Sequence, residues 1–482
     1  MIRVWSDAEK AGVLARIDRH GTTLAYDPAA PAGRAVSLTM PVRIQSWDTS
    51  FGLPPIFDMN LPEGALRHRL TRRFAKAAGT FDDIDLLGVV GGSQIGRVRY
   101  SDMNEMLAEA VPLHSVDDIL RARRDGGLFE YLLEEFAQHS GLSGVQPKVM
   151  IRATGSASDP KGRQSPGIKG ATHIVKFWDE CEFPELAANE FFCLSAARKL
   201  GLAVPKFELS EDGGALVVER FDRTENGHLG VEDFCVLNGL RTADKHKGGY
   251  EARLFKRLRQ FVSPSRVESA SETLFRLFVL NCAIRNGHAH LKNYAVVYDS
   301  VESDVDIAPV YDLMTSWAYL PNDPMALMLQ GSTHWPDQKA LLLLGQTRAD
   351  LSQPRVRAIF EEVADSLASV VPALRDYFSD KPSEVGHRMM AAWGAGIRDS
   401  LGLIRRPKAG KAVQTEPTPP EAHADDAVLG LLRQSAGVFT GAQKTLAAQL
   451  ALPTTTLSAA LRRLTGRGLI RRGAGRIELV SR

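Results

Sequence analysis

The chain has 482 residues, 44% hydrophobic and 24% charged, with 59 Lys and Arg against 57 Asp and Glu and a net charge of +2. That length accommodates two or three domains, and the composition excludes disordered, fibrous and uniformly polyanion-binding classes. Residues 1–7 contain no apolar signal core, no run approaches a membrane span, and Cys181, Cys193, Cys235 and Cys282 lie far apart, so a cytoplasmic protein with reduced thiols and no membrane contact is expected.

Residues 1–125 read as an N-terminal α/β subdomain. Alternating runs at 13–17 and 23–26 predict a small sheet, followed by helices opening near 61–64 and 84–87 and a strand over 96–100. The turn Gly91-Gly92-Ser93 lacks the Lys and Ser/Thr spacing of a phosphate-binding loop and is read as structural.

Over 126–222 the order of elements becomes that of a nucleotide-binding lobe. A helix over 128–137 runs into His139-Ser140-Gly141-Leu142-Ser143-Gly144-Val145-Gln146-Pro147-Lys148, whose glycines let backbone N–H groups approach phosphate oxygens. The strand over 172–177 carries Lys176, and the helix over 186–200 carries Glu190 among apolar residues. A buried lysine needs such a carboxylate to keep its charge for phosphate binding. The apolar strand over 215–218 ends in Glu219-Arg220-Phe221-Asp222, as expected of a hinge whose backbone meets adenine.

Residues 223–404 read as a helical lobe, with a helix beginning at 231–235, an apolar helix over 274–284 and closing helices over 355–403. Between them, Asn286-Gly287-His288-Ala289-His290-Leu291-Lys292-Asn293 precedes Asp312 by nineteen residues, counted from Asn293. A tight loop ending in Asn, with an Asp beyond the next strand, suits a phosphotransfer site for Mg²⁺-ATP. His288 stands where such a loop should carry an acidic base. His288 and His290 as metal ligands form a weaker reading, because no third ligand is apparent.

These motifs together resemble the HipA family of serine/threonine kinases, toxins of bacterial toxin-antitoxin pairs, over nearly all of residues 1–404. The matching pieces are Phe57-Asp58-Met59-Asn60-Leu61-Pro62-Glu63-Gly64, Ser143-Gly144-Val145-Gln146-Pro147-Lys148, His173-Ile174-Val175-Lys176, Asn189-Glu190-Phe191-Phe192-Cys193, Glu219-Arg220-Phe221-Asp222-Arg223, Glu232-Asp233-Phe234-Cys235, His290-x-Lys292-Asn293 and Tyr311-Asp312. The resemblance implies an α+β, two-lobed, protein-kinase-like fold with an added N-terminal subdomain, and a non-specific serine/threonine protein kinase using ATP and Mg²⁺. It implies a protein substrate, in well-known members an aminoacyl-tRNA synthetase, so that translation stalls and growth arrests; it also brings an antitoxin and a homodimer into view as partners. Carried over by position, Ser143, Gly144, Val145, Lys148, Lys176, Glu219, Phe221 and His290 belong to ATP binding, Asn293 and Asp312 to the metal, and Lys292 to catalysis near the γ-phosphate. Ser140 and Ser143 are the local candidates for autophosphorylation.

The family motif has Asp where this chain has His288. Histidine can accept a proton but brings no negative charge, so hydroxyl-directed transfer should be severely impaired. Two accounts stand: an active toxin kinase carrying an inactivating substitution, or a pseudokinase regulator sensing ATP or a partner.

Beyond 404 the composition changes. Residues 405–425, with Pro407, Pro417, Pro419 and Pro420, read as an extended linker. Helices are expected over 426–433, 441–450 and 454–465, the last with Leu457, Leu461 and Leu464 on its inner face, followed by a two-stranded wing over 466–480. This resembles a winged helix-turn-helix that would bind double-stranded DNA and autoregulate transcription, with Thr454, Thr455, Thr456 and Ser458 towards base edges and Arg462, Arg463, Arg467 and Arg476 towards phosphates. A three-helix protein-docking domain with a basic rim is the alternative.

Overall fold

The computed structural model describes residues 1–78, 81–107, 111–122, 127–142, 146–154, 170–177, 183–225, 227–381, 383–403, 428–429, 431–432, 438–440, 442–450, 454–466, 469–473 and 476–479. The chain divides into two compact units, Met1–Ile404 and Arg405–Arg482.

In the first unit, strands β1 (Ile2–Ser6), β2 (Glu9–Arg16), β3 (Thr22–Tyr26), β4 (Trp47–Thr49) and β5 (Val98–Asp102) form an antiparallel sheet in the order β4-β3-β2-β1-β5. Alternation turns Ile2, Val4, Leu14 and Leu24 inward, each almost fully buried. Helices α1 (Gly64–Ala78) and α2 (Asp83–Val90) lie between β4 and β5 in the chain, and α2 is opened by Asp82, which accepts from the N–H groups of Ile84 and Asp85.

A second sheet follows. Strands β6 (Leu113–Ser115), β7 (Lys148–Thr154), β8 (His173–Phe177), β9 (Phe207–Leu209) and β10 (Ala215–Glu219) are ordered β6-β7-β8-β10-β9, with β6 parallel to β7 and the other pairs antiparallel. Helix α3 (Leu128–Phe136) precedes β7, and α4 (Leu186–Lys199) joins β8 to β9. The two sheets share one apolar core, in which Leu14, Phe57 and Leu87 belong to the same cluster as Leu132, Val149 and Val175. The N-terminal subdomain is therefore built into the lobe that follows it.

A third sheet, β11 (Gly230–Asp233), β12 (Ala295–Tyr298) and β13 (Val305–Ile307), leads into the helical lobe. Here the helix expected from 231 begins later. Residues 230–233 pair with 295–298, and Asp233 then caps the helical turn Phe234–Leu237 by accepting from the Val236 N–H at 3.0 Å. Pairing with a strand some sixty positions away overrides the local pattern. Helices α5 (Val267–Ile284), α6 (Gln338–Arg348), α7 (Gln353–Ser379) and α8 (Val385–Ala395) surround the second large core, where Leu274, Phe278, Phe360, Leu367 and Trp393 are buried. Cys193, Cys235 and Cys282 are buried free thiols, and Cys181 lies outside the described residues.

The second unit contains β14 (Val438–Thr440), α9 (Gln443–Gln449), α10 (Thr454–Gly466), β15 (Ile470–Gly473) and β16 (Arg476–Leu479). Its sheet order, β14-β16-β15, adds to the expected pair a third strand that sequence reading missed. Leu457, Leu461 and Leu464 are fully buried together with Leu446, Ile470 and Ile477, which is the inner face read from their spacing. The segment 405–425 lies outside the described residues, as do 426, 427, 430 and 433.

Candidate active site

A cavity of about 690 Å³ in the first unit is lined by residues from both lobes, among them Lys148, Lys176, Glu190, Phe221, His288 and Asp312. That volume suits a nucleotide-sized ligand.

Its strand end is a closed network of charge. Lys148 of β7 and Lys176 of β8 are direct cross-strand partners, so both ammonium groups leave the same face of the sheet. Like charges in that register repel, and carboxylates offset them: Lys176 Nζ donates to Glu190 Oε1 at 2.6 Å and also to Asp312. Burial opposes charge on Lys176, but Asp312 and Glu190 outweigh it and raise its pKa above the usual lysine range. For Asp312 burial again opposes ionisation, and Lys176 and Lys148 outweigh it, holding the carboxyl well below its usual range. Burial pushes Lys148 down, with Asp312 pulling the other way. Asp312 also sits at φ +53°, a left-handed conformation uncommon for Asp and held by its surroundings.

Beyond the end of β10, where the sequence predicts a hinge, Arg220 and Asp222 form a fully buried ion pair at 2.6 Å. Arg220 also donates to Gln94 O at 2.6 Å, and Asp222 accepts from the Gly96 N–H at 2.7 Å, which ties this segment to the N-terminal subdomain. Glu219 is half-buried, 3.4 Å from Lys206, and Phe221 stacks on Tyr311 with ring centroids 6.0 Å apart.

The loop end starts at Arg285, buried at φ +55° between Trp317 and Trp335 and bonded to Ser400 Oγ at 2.8 Å. Gly287 follows because a Cβ there would lie 2.6 Å from the Pro324 carbonyl, and its N–H donates to Ser316 Oγ at 2.8 Å. The His288 N–H donates to Asn286 Oδ1 at 3.1 Å, while its ring is exposed and lines the cavity. Packing around the ring, with the Lys245 and Lys148 charges, pushes the His288 pKa below its ordinary value despite the counter-pull of Asp312. His290 is buried against it, ring centroids 4.6 Å apart, and against His246 at 5.0 Å. Burial, reinforced by His288 and Lys245, pushes His290 far down, and its Nδ1 has no hydrogen-bond partner. Among the described residues no group of three or more His, Cys, Asp or Glu is arranged to hold a metal, so no third such ligand joins His288 and His290.

Several expected site residues have other occupations. Ser140 is fully buried; its Oγ donates to Phe136 O at 2.7 Å and accepts from the Met150 N–H at 2.8 Å, so this hydroxyl joins α3 to β7 and is withdrawn as an autophosphorylation candidate. Lys292 Nζ donates to Met59 O at 2.7 Å and Thr242 Oγ1 at 3.2 Å and lies 3.5 Å from Asp233, which fastens the loop to the N-terminal subdomain. Asn293 is buried and is not among the cavity-lining residues; its Oδ1 accepts from the His290 N–H at 3.0 Å and its Nδ2 has no partner. Ser143, Gly144 and Val145 lie outside the described residues. Sequence reading missed Lys245, paired with Glu63 at 3.1 Å, and His246, both on the cavity wall. A Lys-His pair in a loop forty positions upstream carries no local signal.

In the second unit Arg462 and Arg476 are exposed, the latter 2.5 Å from Glu478, and Ser458 and Arg463 are half-buried. Arg467 and the side chains of Thr454, Thr455 and Thr456 lie outside the described residues.

Comparison with known proteins accords with this arrangement. Two relatives from Sinorhizobium fredii, Y4dM and Y4mE, each provisionally described as a kinase, are 27% and 26% identical over 295 and 413 residues. Those matches span 57% of this chain and 65% of Y4dM, and 79% of this chain and 93% of Y4mE. The solved complex of HipA, HipB and operator DNA from the Shewanella oneidensis MR-1 toxin-antitoxin system matches at 18% identity with a TM-score of 0.58, covering 84% of this chain and 98% of that one. The HipA N-terminal domain model matches residues 2–101, and the HipA-like C-terminal domain model matches residues 140–371, which hold Lys176, the loop at 286–293 and Asp312. With both domains present in order over a kinase-like fold, the chain belongs to the HipA family.

Proposed function

We propose that the chain is an ATP-binding HipA-type kinase whose transfer to protein serine is impaired by His288. The observation that carries this reading is the buried Lys176 joined to Glu190 and Asp312 on the wall of a nucleotide-sized cavity. Lys176 and Lys148 would hold phosphate oxygens, and the backbone of Glu219 to Phe221 would meet the base. For Mg²⁺, Asp312 would offer carboxylate oxygen on the cavity wall, and Asn293, buried off that wall with its Oδ1 accepting from His290, keeps a second carbonyl lone pair that would turn to the ion. When bound, Mg²⁺ supplies charge neutralisation on phosphate oxygens. His288 can orient an incoming hydroxyl but cannot supply the carboxylate that would draw off its proton. Ser143 remains the autophosphorylation candidate, and a protein serine, of an aminoacyl-tRNA synthetase by family analogy, is the external acceptor.

For the second unit the proposal is a winged helix-turn-helix that binds duplex DNA, with α10 in the major groove and Arg462, Arg463, Arg467 and Arg476 at phosphates. The helix pair with a three-stranded sheet and exposed arginines supports it. An antitoxin partner follows from family analogy, since the Shewanella protein was solved with HipB and operator DNA. The test is labelled-ATP binding, phosphate transfer and growth arrest for this chain and for His288→Asp. Binding by both, with transfer and arrest gained by the variant, supports the kinase. Binding without transfer in either favours the pseudokinase regulator, and no binding by either ends the ATP reading.

A further inference from the structure

We propose that the His288 imidazole is itself a phosphoryl acceptor, so that the chain phosphorylates its own histidine from bound ATP. This rests on the ATP-binding reading above and adds a reaction to it.

The substitution has two chemical consequences. A hydroxyl acceptor must lose a proton as it attacks phosphorus, and the missing carboxylate is the group that assists that loss. A neutral imidazole attacks with the lone pair of its unprotonated ring nitrogen and needs no base. Histidine at this place removes what a serine requires and adds a nucleophile with no such requirement.

The geometry suits that role. His288 lines the same cavity as Lys148, Lys176 and Asp312, its side chain is exposed there, and Lys148, Lys245 and Asp312 are its electrostatic neighbours. The backbone is fixed by the Asn286 and Ser316 hydrogen bonds, yet neither ring nitrogen of His288 has a hydrogen-bond partner among the described residues, so the nucleophilic lone pair is not committed elsewhere. His290, by contrast, also reaches the cavity wall but is almost fully buried against His288. An ordinary imidazole is already mostly neutral at pH 7. Lys148 and Lys245 line the same cavity and act on His288 through their charge, which has the sign to compensate a phosphoryl dianion, Lys245 being also paired with Glu63.

The step balances. A ring nitrogen of His288 bonds to the γ-phosphorus, the bond from that phosphorus to the bridging oxygen breaks, and its electron pair leaves on ADP. The proton on the other ring nitrogen of the resulting imidazolium passes to solvent.

The test incubates the full-length protein with γ-labelled ATP and Mg²⁺ and divides the product between acid and alkali. Expected is one phosphoryl group per chain by intact mass, lost in acid, kept in alkali, mapped to His288 and absent from His288→Asn. ATP binding by that variant, followed with a fluorescent analogue, reports that it is folded. A second arm without nucleotide uses phosphoramidate, a small phosphoryl donor, which should label His288 ahead of the exposed His334 and His387. Label that is only acid-stable, label persisting in His288→Asn, or ATP bound with no acid-labile label on His288, whatever phosphoramidate does, overturns the inference and leaves the ATP-binding reading intact. Failure to bind nucleotide at all overturns both.

Discussion

At the strand end of the cavity Lys176 is closed off by Glu190 and Asp312, whereas at the loop end two buried nitrogens, Nδ1 of His290 and Nδ2 of Asn293, have no hydrogen-bond partner. The difference follows charge. An ion taken out of water is strongly destabilising unless countercharges meet it, so the lysine and its carboxylates must form one set. An unpartnered neutral nitrogen costs only about 1–3 kcal/mol, which a loop pinned by Arg285, by Lys292 and by the Tyr250 hydroxyl, which donates to Ala289 O at 3.0 Å, can absorb. In the proposed function the strand end holds phosphate, and the loop end determines which acceptor can react.

The most severe trial of that division is His288→Asp. Restoring the carboxylate should raise phosphate transfer to protein serine by about 10²–10⁴-fold, read with labelled ATP, while nucleotide affinity stays nearly constant. A change in affinity with no change in transfer would mean the two ends are not separable. Lys176→Met acts on the opposite end: it leaves Glu190 buried without its cation and should lower unfolding free energy by about 3–5 kcal/mol, measured by urea titration, with ATP binding lost. Unaltered stability would show that Glu190 is accommodated without a partner.

Ser140→Ala is expected to have a smaller effect. It leaves the Met150 N–H unpaired and should cost about 1–3 kcal/mol of stability, monitored by thermal unfolding, without removing any phosphoserine. A lost phosphorylation site at unchanged stability would return Ser140 to the acceptor candidates. The smallest effect concerns the basic unit. Arg476→Ala should weaken DNA binding evenly across sequences and reduce the slope of log K against log salt by about 1. An unchanged slope would take Arg476 off the phosphate contacts and favour the docking-domain alternative.

Much of the strand end was legible in the sequence. Lys176 lies in a β-branched run and Glu190 in an apolar helix, and a carboxylate in such a helix has few reasons to be there besides a buried cation. The strand ending at Glu219 on the cavity wall was legible for a similar reason, since an apolar run ended in charge. The helix expected at 231 and the missed strand Val438–Thr440 failed alike: each strand is short and exists because a distant segment pairs with it. Ser140 failed because a hydroxyl next to a glycine-rich stretch reads the same whether it points outward or, as here, into the core.

Chain order and residue chemistry by themselves determined the order of the elements, the lysine, the aspartate after the loop and the histidine in the loop, and the resemblance these motifs carry gave the HipA family. Only the tertiary structure decided which of those groups are already committed. Lys148 stands opposite Lys176 through strand register, Lys292 is held by the Met59 carbonyl, and Lys245 with His246 closes on the loop from a segment forty positions earlier. The physical reason is that a side chain's chemistry is local, while its hydrogen-bond partner and its register are set by backbone far away in the chain.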